Sequence, residues 1–435
     1  MMMRDTSPPR GSDSGTADGW DVDIVSDTNA GESVRLTIAD GSPVVAYYAS
    51  VGRDDGPCDE VAAPGEEPPI RVQWAAYLAE RSGRSWTETQ VTEVLSLLTP
   101  QGLDLEAQGG NVQLAALTGG AFAMGLQVLC SAHDLGLYET NGDAETLVVN
   151  SGDAPVDAAS DAGFVVGHWP ALATSAGGQS IVAYRDIHFG GLQSDDERRA
   201  DLEAVIGSPG SWRAVPVDPG RGAGRFNDAI FDADGNPYIA YINDFEFDAN
   251  SRGTLVARSM DDGDTWEIAR LNEESTERGP SIWLDADNQI RVAYYEPDRR
   301  QLAVATLTDP DAFAGAGWDT EFISDGGFDE GQDPSGATAP DGTLAVAYYR
   351  CAGVSRGGTD CDDDDDALVV ALQAPGESEW TIEVVDEGVD GGRCGTQPSA
   401  AFDGDGALWV GYICQDVDGA RVEDRVHVAE REPFE

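Results

Sequence analysis

Three observations predict an all-β fold, a seven-bladed β-propeller of four-stranded antiparallel blades. One strand–turn–strand pattern recurs seven times along the 435 residues. Tryptophans recur at the start of a further strand after most copies. The Trp strand missing after the last copy is found near the start of the chain. The same repeat periods also accommodate six or eight blades.

In chain order, residues 1–17 are polar and rich in Ser, Asp, Gly and Pro, which reads as a disordered leader or tether ahead of a single domain over residues 18–435. Trp20-Asp21-Val22-Asp23-Ile24-Val25 is the displaced Trp strand. The first repeat is Ser33–Ser50, turning at Asp40-Gly41. The second, Asn111–Cys130, is degenerate, with Gly119-Gly120 at its turn and no Tyr. The clear copies are Pro170–Asp186, Asn227–Asn243, Pro280–Glu296, Pro334–Arg350 and Pro398–Cys414. Their tyrosines, Tyr184, Tyr241, Tyr294, Tyr348 and Tyr412, lie 53 to 64 residues apart. That period suits four short strands per unit. Third strands follow at Arg71–Ala79, Thr254–Ser259, Gln301–Leu307, Ala367–Leu372 and Arg425–Ala429. Fourth strands begin at Trp86, Trp212, Trp266, Trp318 and Trp380. No Trp strand follows the final copy, so the N-terminal one completes the last blade and removes an exposed sheet edge.

Composition limits the functional classes. The 52 Gly and 22 Pro fit many turns. Formal net charge is −54, and all 26 basic residues are Arg. Such a surface repels nucleic acid and anionic membranes and holds a heavy hydration shell. No run of about 20 apolar residues forms a transmembrane segment. Six cysteines, an even number, point to disulfides and an oxidising, extracellular, periplasmic or cell-surface location, although the start of the chain lacks the apolar core of a signal peptide.

Ser259-Met260-Asp261-Asp262-Gly263-Asp264-Thr265-Trp266 carries the most specific pattern. A hydroxyl, a carboxylate and a glycine at these offsets suit a tight hairpin, and the Trp anchors the next strand. The octet resembles the Asp-box of sialidase-like (BNR-type) β-propellers, where it closes the turn between the third and fourth strands of a blade. The resemblance implies a fold and no activity. It also implies that this turn marks the bottom of the ring, with ligand sites on the opposite, top face.

All six cysteines map to top loops, and the simplest pairing is Cys58–Cys130, Cys351–Cys361 and Cys394–Cys414. The D-x-D-G turns, such as Asp232–Gly235 and Asp403–Gly406, lack the spacing of a calcium loop and suit hairpins. The acidic run Asp362–Asp366 is a solvated loop or a calcium site. Of four histidines, His427 lies inside a strand and is structural. His133, His168 and His188 fall in neighbouring top loops. With Asp134 and Asp186 they form a candidate transition-metal site. Alternatively His168 or His188, with Arg185 and Asp186, abstracts a proton from an acidic sugar.

Asn227, Arg278 and Gln332 before first strands, and Asn243, Glu296 and Arg350 after second strands, are the candidate ligand-binding residues around the channel. Arg185, Arg278 and Arg350 resemble the arginine triad by which sialidases hold a carboxylate. The sequence departs from that pattern: no R-I-P stands in the first blade, and no Tyr/Glu nucleophile pair is assignable. The reading is an exported or cell-surface propeller that binds a glycan or a surface protein at its top face without catalysis. Its alternatives are a glycan-active lyase or hydrolase and a metal-binding surface protein.

Overall fold

Alternating apolar residues between Asp- and Gly-containing turns give each repeat a short antiparallel sheet. The computed structural model describes residues 19–433 apart from 27–29, 54–69, 92–94, 100–111, 117–121, 131, 140–144, 150–164, 188–199, 209–210, 221, 245–251, 275, 277, 324–327, 352–365, 389–392 and 419–420. The leader, Cys58, His188, Cys361 and Asp362–Asp365 lie outside the described residues.

Strand β1 (Trp20–Ile24) stands apart from its neighbours in sequence. The first sheet contains β2 (Ala30–Ala39), β3 (Ser42–Arg53), β4 (Ile70–Ser82) and β5 (Ser85–Gln90), with β6 (Leu95–Thr99) also on β4. Next come β7 (Val112–Ala116), β8 (Phe122–Cys130), β9 (Ala132–Glu139), β10 (Glu145–Val149), β11 (Val165–Thr174), β12 (Ser180–Ile187), β13 (Ala200–Ser208) and β14 (Ser211–Asp218), all in one sheet. Three regular sheets follow. One is β15 (Arg225–Phe231), β16 (Pro237–Asn243), β17 (Gly253–Arg258) and β18 (Glu267–Arg270). The next is β19 (Ser281–Leu284), β20 (Ile290–Glu296), β21 (Gln301–Leu307) and β22 (Trp318–Ile323). The third is β23 (Asp329–Thr338), β24 (Leu344–Cys351), β25 (Ala367–Gln373) and β26 (Thr381–Glu387). The last sheet is β27 (Cys394–Phe402), β28 (Leu408–Asp418) and β29 (Arg421–Arg431), completed by β1 antiparallel to β29.

The ring therefore has six blades, which corrects the expected seven. The second and third repeats do not form separate blades. They share one eight-stranded sheet, joined where β11 runs parallel to β9 with Val165 opposite His133. The degenerate repeat lacks the Trp of the other fourth strands; β10 pairs with β9 over Leu135–Tyr138, and the extended start of β11 takes the remaining edge at His133, which fuses the two repeats.

The predicted role of tryptophan holds at the interfaces between sheets. Five apolar clusters each draw residues from two adjacent sheets, and each holds one Trp of an outermost strand: Trp86, Trp266, Trp318, Trp380 and, in the closing blade, Trp20. Trp20 is buried, and its indole N–H donates to Glu383 at 2.9 Å. The chain start thus fills the same niche as the internal Trp strands.

The innermost strands hold a second, polar seam. Arg35, Ala171, Asp228, Ser281, Ser335 and Ser399 occupy equivalent positions, each opposite the small residue that precedes the repeat tyrosine or its counterpart Tyr47. Each polar acceptor here reaches into the next blade. Asp228 Oδ2 accepts the N–H of Ile282 at 2.9 Å. Ser281 Oγ accepts that of Gly336 at 3.1 Å, Ser335 Oγ that of Ala400 at 2.9 Å, and Ser399 Oγ that of Leu36 at 2.9 Å. The belt thus crosses the ring closure.

Tyrosines add a further inter-blade bond. Tyr241 donates to Asp218 of the preceding sheet at 2.7 Å, and Tyr412 to Asp386 of the preceding sheet at 2.6 Å. Burial and the adjacent carboxylate push both phenols well above the ordinary tyrosine range, so they remain neutral donors.

The Ser259–Trp266 turn joins β17 to β18, the third and fourth strands of their sheet. Ser259 Oγ accepts the N–H of Gly263 at 2.8 Å and donates to Asp261 Oδ1 at 2.9 Å. Asp261 also accepts the N–H of Thr265 at 2.8 Å and its hydroxyl at 2.7 Å. Asp262 and Gly263 both take positive φ. Antiparallel pairing puts the Asp232, Asp285 and Asp403 turns at this same end. Each of these Asp residues accepts two N–H groups of its own turn through Oδ1. Oδ2 accepts from Asn236, Arg291 or Trp409 respectively. Their carboxylates are hairpin locks.

Two outcomes are expected. Ser335→Ala removes one belt acceptor and lowers stability by about 1 kcal/mol in urea denaturation, while Ser335→Thr retains it; equal midpoints for all three would show that water serves the Ala400 N–H equally well. Hydrogen bonds from the Thr265 hydroxyl and N–H, and from Ser259, hold the Asp261 carboxyl below its ordinary 3.8. A lowered folded-state value means that its contribution is complete above the unfolded value and lost as pH falls through the folded one. The stability difference between wild type and Asp261→Asn is therefore largest near neutrality and shrinks in strong acid. A pH-independent difference in thermal midpoints contradicts this assignment.

Candidate functional site

At the end opposite the Ser259–Trp266 turn, four innermost strands begin with the same distortion. Trp169, Phe226, Asp333 and Gln397 all adopt left-handed φ, between 45° and 51°. Strand register slips at each: between His168 and Ala171, Arg225 and Asp228, Gln332 and Ser335, and Thr396 and Ser399. These are β-bulges, which bend a strand and redirect its side chains. A non-glycine residue in this region costs on the order of 1–3 kcal/mol and persists only where its surroundings impose it. The residue after each bulge apex is Pro or Asn, and the next is the belt position.

The bulge at Asp333 organises a partly exposed polar group. The segment Phe328–Asp333 runs across the start of β23. Phe328 is 38% exposed, and the Arg350 guanidinium lies 4.4 Å from its ring centroid. Arg350 pairs with Glu387 at 3.3 Å. Asp329 is hydrogen-bonded to Tyr295. Gly331 has φ 90° and meets the Leu302 backbone so closely that an added Cβ would sit 2.4 Å from its Cα. Only glycine lets the two blades approach at that point. Asp333 pairs with Arg278 at 3.2 Å, with the arginine side chain 35% exposed.

The two phenols beside this segment differ. Tyr349 donates to Asp366 and is 2% exposed. Burial, then that hydrogen bond, raises its pKa, opposed by Arg393 and Arg278. Tyr295 is only partly buried; burial and Asp329 raise its pKa, opposed by Arg300 and Arg278. Tyr295 is thus the more exposed of the two phenols.

The predicted residues divide into groups. Arg278, Gln332, Glu296 and Arg350 come from adjacent blades, and register sets Glu330 opposite Arg350 and Gln332 opposite Tyr349. The three expected triad arginines have separate partners: Arg185 with Asp244 at 3.5 Å, Arg278 with Asp333, and Arg350 with Glu387. Arg185 and Asp186 are buried, and Arg185 lies 5.5 Å from the Trp169 ring centroid. Arg225 pairs with the same Asp244 at 2.8 Å. Asn227 donates to the Trp169 carbonyl at 2.8 Å, and Asn243 is fully buried. Backbone pairing sets His168 opposite Arg185 and His133 opposite Val165. Their side chains, and all of His188, lie outside the described residues.

A disulfide joins Cys394 to Cys414 across β27 and β28, and Cys351 is also disulfide-bonded. His427 is buried beside the Cys394–Cys414 bridge, with Nδ1 3.6 Å from Asp386. Phe328 and the Tyr295–Asp329 pair were not singled out in the sequence. A repeat-phase alignment marks Asp329 only as lead-in, and the usable signal was an aromatic four residues before the bulge pair Gln332-Asp333.

No helix among the described residues is long and apolar enough to cross a membrane. No protein-family model matches the chain, and no curated protein does. Solved structures share its fold. A Dyadobacter fermentans protein of unknown function aligns with a TM-score of 0.50 at 11% identity, over 96% of this chain and 100% of its own. A Hadza microbial sialidase aligns at 0.47 and 12%, over 94% and 95%. The Aleuria aurantia lectin, solved with a fucoside, aligns at 0.43 and 14%, over 82% and 96%. At these identities the likeness is one of fold alone: the chain is similar to β-propellers that include a sialidase and a fucose-binding lectin.

Proposed function

We propose that this chain is an exported or cell-surface propeller that binds a neutral glycan, without catalysis, on the segment Phe328–Asp333 and its flanks. The observation that carries the reading is the exposed Phe328 ring set over Arg350 and beside two arginine–carboxylate pairs. A sugar has an apolar face of C–H groups and an edge of hydroxyls. An exposed aromatic ring suits the face. Arg278 with Asp333, and Arg350 with Glu387, each offer donors and acceptors to neighbouring hydroxyls. Because each guanidinium already faces a carboxylate, a carboxylated sugar would have to displace a resident acid, against a net charge of −54.

One observation favours a second reading, a glycan-active hydrolase. Tyr295 is hydrogen-bonded to Asp329, with Arg278 and Arg300 nearby. A phenol whose proton passes to a carboxylate is a nucleophile. Burial and the negative neighbour hold that phenol neutral, which favours binding.

Immobilised neutral and acidic glycans distinguish the alternatives. Binding to a neutral glycan is expected to weaken about tenfold in Phe328→Ala and by a similar factor in Arg278→Ala. Retention on acidic glycans alone, or full retention by Phe328→Ala, contradicts the binding reading. Release of reducing sugar by wild type and its loss in Tyr295→Phe would establish the hydrolase instead.

A further inference from the structure

Away from the glycan segment, one buried cluster has the donor set of a metal centre. Asp386, at the end of β26, meets Cys394, Cys414 and His427 of the closing blade, and one ligand atom from each lies within 4.8 Å of every other. All four residues are buried. His427 is 8% exposed, and neither of its ring nitrogens has a hydrogen-bond partner. Leaving both ring nitrogens of a buried histidine without a bond is costly.

The two spacings from Asp386 suit tetrahedral coordination. Asp386 Oδ2 lies 3.6 Å from His427 Nδ1 and 3.7 Å from Cys414 Sγ. A tetrahedral zinc centre with bonds of about 2.0 to 2.3 Å separates its ligands by roughly 3.3 to 3.8 Å. Cys394 and Cys414 are directly opposite across β27 and β28, with Cα atoms 4.1 Å apart, so both sulfurs stay at this point whether or not they are bonded to each other. Tyr412 donates to Asp386 and would orient that ligand, as outer-sphere partners of metal sites do.

We propose that Asp386, Cys394, Cys414 and His427 form a redox-gated site for a zinc-class divalent cation, closed by the disulfide and opened by its reduction. A phosphine reductant cleaves the S–S bond: two electrons pass to the sulfurs, two protons from solvent give two thiols, and the phosphine takes oxygen from water to become its oxide. Cation binding then releases both thiol protons, leaving two thiolates, one carboxylate and one neutral imidazole as ligands. Reoxidation by a disulfide or peroxide oxidant expels the ion. The consequence is mechanical. The disulfide crosslinks two strands of one blade, whereas the metal would also hold Asp386 of the preceding blade, beside the ring closure.

The probe is Co2+, added to the full chain before and after phosphine reduction. The reduced wild type is expected to take up one equivalent with a sulfur-to-cobalt charge-transfer band, and the oxidised protein to show none. Cys394→Ser/Cys414→Ser removes the band although the other cysteines remain, and His427→Gln weakens uptake by about tenfold or more. Thermal unfolding of reduced protein gives an independent reading: Zn2+ raises the midpoint of wild type and not that of His427→Gln. No charge-transfer band in reduced wild type, or an unchanged band in the double serine variant, overturns the proposal.

Discussion

The structure depends on how the inner edge of each sheet is satisfied. A propeller blade presents its first strand to the central channel, where no further strand pairs with it. Its outward N–H groups must find acceptors or be left to whatever water the channel admits. Here, at four of the seams, the preceding blade supplies an acceptor, through a single side chain at a fixed position. The arrangement requires a short acceptor, an oxygen one or two bonds from Cβ, to bond a neighbouring backbone across a packed seam. Ala171 occupies the same position and has no acceptor. The N–H of Ala229, one blade on, is taken instead by Asp228 of its own strand at 3.0 Å. The interruption falls beside the double-width sheet, where the repeat is most degraded.

Three of the four belt acceptors, Asp228, Ser335 and Ser399, lie two positions after a left-handed bulge residue; Ser281 follows no bulge, and the Trp169 bulge leads to Ala171, which carries no acceptor. A by-product is that residues flanking each bulge project at the channel mouth. At Asp333 this sets a carboxylate against Arg278 of the preceding blade. At Phe226 it sets aromatic surface against Trp169, with centroids 5.0 Å apart. The same geometric device produces a polar opening in one place and an apolar plug in another.

Much of this was legible in the sequence. The tyrosine period located the second strands, the Trp series located the inter-sheet clusters, and Trp20 revealed how the ring closes. These signals are large, buried and repeated, so each copy reinforces the others. Blade number was not legible, because it turned on whether β9 meets β11, and one pair of strands leaves no periodic trace. The belt was missed because Ser281, Ser335 and Ser399 look like ordinary residues after proline. Their role exists only between blades. Phe328 was missed for a related reason: among the lead-ins only Phe164 places an aromatic residue at the same spacing, so the position leaves no periodic trace.

The pairing of arginines bears on what can bind. The chain has 80 acidic residues and 26 arginines. In such a field a lone guanidinium gathers a carboxylate, and the structure shows the result at Arg81, Arg185, Arg225, Arg291 and Arg431 as well as at the channel mouth. An anionic ligand would compete with a covalently tethered acid, whose effective concentration is high, and would do so against long-range repulsion. A ligand of hydroxyls faces neither cost, since it bonds to the pair without separating it. Charge composition and local geometry therefore both favour the proposed ligand class, one from the sum over the chain and the other from two ion pairs beside a phenylalanine.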